Sequence, residues 1–304
     1  MTMIDKLIPS ISIGMPVYNS ERYVAAAIES IINQSYSDFE LIISDNSSED
    51  MTGDICRSYA SKDSRIKYFR QSSNIGMSPN FIFVLEQARA KYFMFAAGDD
   101  TWSSNWVNDL LTVAIKYDCV AFGKVQYTDS NGVFIKSTAN NIKFRYVGFS
   151  WYRQLKYVFT SWSSGKMIPM WSIFPMQHGR SLTINLIKTF PPNNGDTIWV
   201  YSMLEVYNLR SVKHTIFFKR NHDLSGSALT EKKDIADNRS NFIINFFEKY
   251  RNVYQCNLFF KFISLSKLKV KILILVFAPI GYLHYLFQTI LIILRYRIKT
   301  LKNN

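Results

Sequence analysis

Cysteine is scarce in this chain, and the glycine-rich loops that cradle phosphates are missing. Three cysteines in 304 residues, Cys56, Cys119 and Cys256, stand far apart with neither metal-ligand nor redox spacing. Such thiols are expected to be buried or inert, as suits a reducing compartment. No Gly-x-Gly-x-x-Gly and no Gly-Lys-Ser/Thr loop occurs, so dinucleotide binding and P-loop phosphate binding have no support. Residues Met1 to Ser10 hold no continuous apolar stretch behind a basic start, so no secretory signal is expected and the main body belongs in the cytoplasm. There is no internal repeat and no low-complexity block. Acids are few: 23 Asp and Glu stand against 36 Lys and Arg, a net +13.

That basic excess is unevenly placed. Phe242 to Asn304 carries seven Lys and three Arg against the single acid Glu248, a net +9 that leaves +4 for the other 241 residues. Within this tail an uncharged run from Ile272 to Leu294 lies between Lys267, Lys269 and Lys271 on one side and Arg295, Arg297, Lys299 and Lys302 on the other. The run is long enough for a bilayer, which takes about 20 apolar residues. Pro279 and Gly281 break its middle, which suggests two helices lying in or dipping into a cytoplasmic leaflet, with a single span, a buried helical hairpin or an oligomer contact as alternatives. Basic residues flanking an apolar stretch fit lipid better than nucleic acid, so no nucleic-acid partner is expected.

The body of the chain alternates short apolar runs with helical patterns. Ile11 to Tyr18, Leu41 to Ile43, Ile66 to Phe69 and the run from Tyr92 read as buried strands. Between them come a helix with Val24, Ile28, Ile31 and Ile32 on one face, a helix over about 50–59, and a helix from Ser78 to Ala90 with Phe81, Val84, Leu85 and Ala88 inward. A fourth helix passes through Leu110, Leu111 and Ala114. Four strand–helix alternations argue an α/β fold with a mostly parallel, Rossmann-like sheet covered by helices on both faces. Cys119 to Tyr127 and Val133 to Ile135, joined by Asp129-Ser130-Asn131-Gly132, read as a hairpin.

Polar residues cluster where strands end: Tyr18 and Asn19, Asp45, and Asp99 with Asp100. Side chains at the carboxyl edge of one parallel sheet converge, and ligands of open α/β sheets bind there. Adjacent carboxylates repel, and holding both ionised calls for a hard cation such as Mg²⁺ or Mn²⁺. The alternative for this pair is a cap on the helix that follows.

Three motifs, Pro16-Val17-Tyr18-Asn19, Asp45-Asn46-Ser47 and Gly98-Asp99-Asp100-Thr101-Trp102, each on a strand end, resemble in this order those of family 2 inverting glycosyltransferases with the GT-A fold. The resemblance covers about 10–229. It implies that Asp45 bonds the nucleotide base, that Asp99 contacts the ribose, and that Asp100 ligates a divalent cation. It places Pro16, Val17, Tyr18, Asn19, Glu21 and Asn80 at the nucleotide. Two positions depart from the family pattern: Ala97 stands where many relatives have a third acid, and Asn80 where many have Arg. In the second half, Gln177-His178-Gly179-Arg180, then Asn193-Asn194-Gly195-Asp196, then Lys219-Arg220-Asn221-His222 are similar to the acceptor half of bacterial surface-polysaccharide enzymes. By that similarity Asp196 is the catalytic base, with an N-cap as its alternative role. His222 is a metal or phosphate contact, and Arg180 and Arg220 are acceptor or phosphate contacts.

The expectation is therefore a metal-dependent inverting transferase in three parts. Residues 1–145 bind the nucleotide-sugar donor, 146–232 bind a lipid-linked or glycan acceptor, and 233–304 associate with the cytoplasmic face of a bacterial inner membrane, with an oligomer possible through this tail. The donor is expected to be a UDP-sugar, and the setting O-antigen, capsule or exopolysaccharide synthesis. A nucleotidyltransferase and a non-catalytic membrane-anchored nucleotide-sugar-binding module are the rivals.

Overall fold

The centre of the structure, a computed structural model, is a pair of parallel strands with no exposed face. β1 (Ile11–Val17) and β2 (Phe39–Asp45) pair in register from Ile11 opposite Phe39 to Val17 opposite Asp45. All of β2 and all of β1 except Pro16 are buried. That follows from near-continuous apolar runs, which suit a parallel sheet covered on both sides. The structure describes residues 8–136, 144–160, 168–189 and 195–222. Asn193, Asn194, Trp162, Cys256 and the whole tail expected over 233–304 lie outside these residues. Among the described residues, no helix is long and apolar enough to cross a membrane.

β3 (Ile66–Arg70) extends the sheet parallel to β2, and β4 (Tyr92–Phe95) pairs parallel to β1 on its other side. Gly14 makes the close packing at β1 possible. A Cβ there would come within 2.5 Å of the Phe93 ring and 2.8 Å of Val84 on α3 (Met77–Gln87), so glycine lets that helix lie on the strand. α1 (Val24–Ile32) buries Val24, Ala27, Ile28 and Ile31. α2 (Thr52–Ala60) links β2 to β3. α3 stops three residues before the expected Ala90. The N–H groups of Arg89 and Ala90 turn instead to the Ser12 hydroxyl, at 3.2 and 3.1 Å, and that of Arg89 also to Glu40 Oε1 at 3.1 Å. Buried side-chain acceptors at the amino edge of the sheet thus outcompete the next helical turn.

Beyond β4 the sheet ceases to be parallel. The strands run in the order β3-β2-β1-β4-β7-β6-β8-β5. Here β5 is Thr101–Trp102, β6 is Cys119–Thr128, β7 is Ile173–Pro175 and β8 is Asn208–Arg220. β7 pairs antiparallel with β4 and β6, β8 runs parallel to β6, and β5 pairs antiparallel with β8. The expected mostly parallel sheet is therefore a mixed one. A strand late in the chain slots between β4 and β6, and no local periodicity encodes that insertion. α4 (Trp106–Tyr117) buries Trp106, Leu110, Leu111 and Ala114. The Asp129–Gly132 turn forms as expected, with Asp129 N donating to Val133 O at 2.8 Å, but its return arm makes only an isolated bridge, Thr128 to Phe134.

α5 (Ser150–Phe159), α6 (Met176–Thr189) and α7 (Gly195–Val206) complete the described residues. Trp199 of α7 is core: its indole N–H donates to Thr183 Oγ1 at 2.8 Å and its ring meets Phe174 edge-on.

Candidate active site

The registers of β1, β2 and β4 bring Val17, Asp45 and the residues after Phe95 to one edge. The loops there are stitched together. Asn19 adopts a left-handed backbone (φ 46°), which an Asn tolerates, so that its N–H reaches Ser48 Oγ at 3.0 Å and its side-chain oxygen accepts the Glu49 N–H at 3.0 Å. Glu21 accepts the Met51 N–H at 2.9 Å, and Thr52 Oγ1 accepts that of Ser20 at 2.7 Å. These bonds hold the first two βα loops in a fixed relation and leave Tyr18, 43% exposed, free to meet a flat ligand.

Asp45 is fully buried, and both its oxygens are taken. Oδ1 accepts the Ser48 N–H at 2.8 Å, and Oδ2 accepts Tyr68 Oη–H at 2.8 Å and Arg70 at 2.7 Å. Asn80 is also spent inside the protein. Its amide donates to Ser44 O at 3.0 Å and its carbonyl oxygen accepts the Ser44 hydroxyl at 2.6 Å, tying α3 to the end of β2.

The acidic pair lies against the end of β8. Asp99 Oδ2 is 2.9 Å from His222 Nε2. Asp100, only 1% exposed, accepts the Arg220 N–H on Oδ1 at 2.7 Å, while its buried Oδ2 has no hydrogen-bond partner among the described residues. The Arg220 guanidinium bonds the Asp99 carbonyl at 2.9 Å and the Ser130 carbonyl at 3.1 Å, and lies 4.8 Å from the Tyr23 ring centre. His222 packs on the same Tyr23 ring, 4.6 Å centre to centre. Lys219 Nζ comes to 3.8 Å from Asp100 Oδ2.

The electrostatics follow from this arrangement. Burial, with the neighbouring Asp99 charge, pushes the Asp100 carboxyl up to about 7, against the pull of Lys219 and Arg220. Burial would raise Asp99 too, but the His222 bond and the Lys219 charge outweigh it and hold that carboxyl below its ordinary value. Asp196, at the start of α7, is raised chiefly by burial, although Oδ1 accepts the Thr197 N–H at 2.7 Å and Lys219 pulls the other way. Burial alone would lower Lys219; the charges of Asp100 and Asp99, with smaller contributions from Tyr127 and Asp196, raise it.

The structure thus gathers Asp99, Asp100, Arg220 and His222. Asp45 stands two strands away at the β2–β3 side. Arg180 does not join: its guanidinium donates to the Ala88 carbonyl, ahead of β4 and at the opposite end of that strand from the acidic pair. Lys219 and Tyr23 were not singled out from the sequence. The signal available for Lys219 was a cation at the end of an apolar strand, directly before Arg220 and His222.

A divalent cation fits this donor set in one respect: a buried carboxylate oxygen of Asp100 has no hydrogen-bond partner among the described residues, and an imidazole stands by the adjacent acid. Among the described residues no group of three or more His, Cys, Asp or Glu forms a metal cage. Mg²⁺ and Mn²⁺ commonly take one or two protein ligands and complete their shell with substrate phosphates and water.

Comparison with known proteins agrees. Residues 12–174 match Glycosyl transferase family 2, more than half of the chain, and the protein belongs to that family. It is 34% identical over 140 residues to an uncharacterized glycosyltransferase of Haemophilus influenzae, a stretch covering 46% of this chain and 56% of that protein. It is 31% identical over 120 residues to a putative teichuronic acid biosynthesis glycosyltransferase, TuaG, of Bacillus subtilis, covering 40% of this chain and 47% of that one. The crystal structure of S. aureus TarS 1-349 in complex with UDP-GlcNAc superposes with a TM-score of 0.55 at 17% identity, covering 71% of this chain and 60% of that one. The likeness establishes the GT-A fold. In each case the chain spans less than two thirds of the relative's own length.

Proposed function

We propose that the protein moves a sugar from a nucleoside-diphosphate donor, a UDP-sugar in the first instance, to a hydroxyl of a lipid-linked or glycan acceptor in bacterial surface-polysaccharide assembly, with inversion. The observation that carries this reading is the unpartnered, buried Asp100 Oδ2 at the carboxyl edge of a family 2 fold. A buried carboxylate oxygen with no partner among the described residues is an acceptor open to a ligand. Asp100, with His222, would hold a Mn²⁺ or Mg²⁺ ion. When bound, that ion supplies positive charge to the departing diphosphate.

The chain's own residues do the rest. Tyr18 stacks on the base, while the stitched loops of Asn19 and Glu21 wall the pocket. Asp99, held ionised by His222, accepts from the ribose hydroxyls. Asp196 takes the proton of the acceptor hydroxyl, for which a raised pKa improves a carboxylate as base. The acceptor oxygen bonds to the anomeric carbon as the bond from that carbon to the diphosphate oxygen breaks on the opposite face, and the nucleoside diphosphate leaves with the electron pair. The UDP-GlcNAc held in the TarS complex favours a uridine nucleotide, and the relation to TuaG favours a cell-surface polymer. The apolar, basic tail over 233–304 favours action at the cytoplasmic face of the inner membrane on a lipid-linked acceptor.

The test is incubation of the full chain in detergent with UDP-, GDP- and dTDP-sugars and a polyprenyl diphosphate-sugar acceptor, with Mn²⁺ or with EDTA. Free nucleoside diphosphate from one donor is the expected product. Release of inorganic diphosphate, or no product from any donor, would overturn the proposal.

A further inference from the structure

The acceptor half has a charge pattern that the net total hides. From Ser130 to Gly195 the chain holds no Asp or Glu against eight Lys and Arg, so this stretch is +8 and the rest of residues 1–241 is net negative, at −4. The exposed part of the stretch is also aromatic. Phe149, Trp151 and Tyr152, at the start of α5, are 77%, 45% and 47% exposed. Arg145 and Lys156 are exposed with them, and the Lys156 ammonium donates to the Arg145 carbonyl at 2.9 Å.

α5 has two faces. Arg153, Gln154 and Tyr157 are buried on one side. Phe149, Tyr152 and Lys156, spaced three and four residues apart, line the other side together with Trp151. The buried side fixes the helix. The Arg153 guanidinium donates to the carbonyls of Gly148, Leu204 and Glu205 at 2.7, 2.8 and 3.1 Å, and to Asn208 Oδ1 at 3.0 Å. Tyr157 Oη–H donates to the Thr197 carbonyl at 3.1 Å. α5 therefore runs antiparallel to α7, from the last turn of that helix to its first, where Asp196 stands. Its outer side is a fixed surface ~15 Å long, at 1.5 Å per residue, that ends beside the candidate base.

Several large aromatic side chains grouped in water mark a surface with a partner. Their chemistry selects which. Trp, Tyr and Phe among Lys and Arg is the composition of a helix lying in a bilayer interface, with rings at headgroup depth and cations on anionic phosphates. Packed on the same face of a second copy, Arg145 and Lys156 would meet like charge, with no carboxylate in the stretch to answer them.

We propose that the outer face of α5 is a lipid-docking surface, on which Phe149, Trp151 and Tyr152 enter the interface of an anionic bilayer while Arg145 and Lys156 hold its headgroups. It is a contact of the catalytic body itself, separate from the basic apolar tail. It deepens the reading of a lipid-linked acceptor and rests on that reading for its purpose: the helix lies along the membrane with its last turn at the start of α7, so an acceptor sugar carried on a lipid is delivered at the Asp196 end. Neither the donor nor a metal enters the argument.

The experiment places an environment-sensitive fluorophore on Tyr152→Cys in the full chain, with Ser61→Cys at the exposed end of α2 as the control site. Cys56 and Cys119 are buried and Cys256 is replaced by Ser, so labelling is confined to the chosen position. The labelled chain is reconstituted into vesicles of phosphatidylcholine with or without phosphatidylglycerol, each carrying a spin-labelled lipid as quencher. The expected result is blue-shifted emission at position 152 and quenching several-fold stronger than at position 61, greater with phosphatidylglycerol and reduced by salt. Phe149→Ser with Trp151→Ser should remove most of that quenching at an unchanged melting temperature. Arg145→Gln with Lys156→Gln should remove the preference for phosphatidylglycerol. Equal quenching at both sites, none at position 152, or quenching untouched by Phe149→Ser with Trp151→Ser would overturn the proposal. Blue-shifted emission that the lipid quencher does not reach would show the face covered by protein, a second copy or another segment, and would overturn it too. If the double variant shows no cooperative melting, Phe149→Asp alone takes its place. UDP binding, measured on the same samples by calorimetry, should be unchanged in every variant; its absence from all of them, wild type included, counts against the nucleotide-sugar reading and leaves this surface standing.

Discussion

Two buried carboxylates at opposite edges of the same sheet differ in one respect that separates structure from function. Glu40 stands at the amino end of β2, 2% exposed, and Asp100 beyond the carboxyl end of β4, 1% exposed. Glu40 is saturated: Ser12 Oγ donates to Oε1 at 2.7 Å, and Lys67 and Arg89 reach Oε2 at 2.9 Å each. Burial would raise its pKa, but the Lys67, Ser12 and Arg89 bonds together bring it below the ordinary value. Among the described residues Asp100 has a hydrogen bond to one oxygen and none to the other, and its carboxyl rises to about 7. Equal burial with unequal satisfaction teaches where to look for function: a filled carboxylate holds strands together, and a starved one awaits a ligand.

The comparison breaks most sharply at Asp100. Asp100→Asn should reduce transfer on the order of a thousandfold, as for loss of a principal charge stabiliser. It should also leave the melting temperature unchanged or raise it, because the repulsion from Asp99 goes with the charge. Unchanged turnover, or a collapse of the fold, would erase the distinction between the two acids. Asp196→Asn should cost about 10²- to 10⁴-fold in kcat with donor affinity kept, which single-turnover assays and calorimetry separate.

Glu40→Gln is the converse. Transfer per folded molecule should hold, while stability in urea falls by roughly 1.5–3 kcal/mol, since Lys67 and Arg89 lose a charged acceptor. The sign of its pH dependence follows from the lowered folded-state pKa. The stabilisation is present above the ordinary carboxyl value of 4.5 and is lost as pH falls below it towards the folded value. Urea midpoints measured downward from pH 6 should therefore drop less steeply in Glu40→Gln than in the wild type. Arg180→Ala should have the smallest effect. Its hydrogen bond to the Ala88 carbonyl is at the amino edge, so about 0.5–1.5 kcal/mol of stability is at stake. A large rise in donor or acceptor KM would instead place Arg180 at the site.

Much of the first half could be read from local pattern. The strands at Ile11, Leu41, Ile66 and Tyr92 are short apolar runs, and the α1 face of Val24, Ile28 and Ile31 repeats at helical spacing, so burial and periodicity agree there. The polar strand ends followed from the same pattern, because a parallel sheet collects its carboxyl ends on one edge. What escaped were contacts between distant segments. Arg89 and Ala90 leave α3 for Ser12 and Glu40, between 49 and 78 residues away. Arg180 goes to a carbonyl 92 residues earlier. β7 wedges between β4 and β6.

The sequence by itself determined the alternation of strands and helices, the motif order that marks a family 2 glycosyltransferase, and the candidate acids at strand ends, because apolar periodicity and adjacent carboxylates are local properties. The tertiary structure alone decided that β8 returns to lay Lys219, Arg220 and His222 against Asp99 and Asp100, that Asp45 spends its oxygens on Ser48, Tyr68 and Arg70, and that one oxygen of Asp100 has no hydrogen bond among the described residues. The reason is physical: whether a buried charge is satisfied depends on which groups from elsewhere in the chain come within about 3 Å of it, and proximity of that kind arises only on folding.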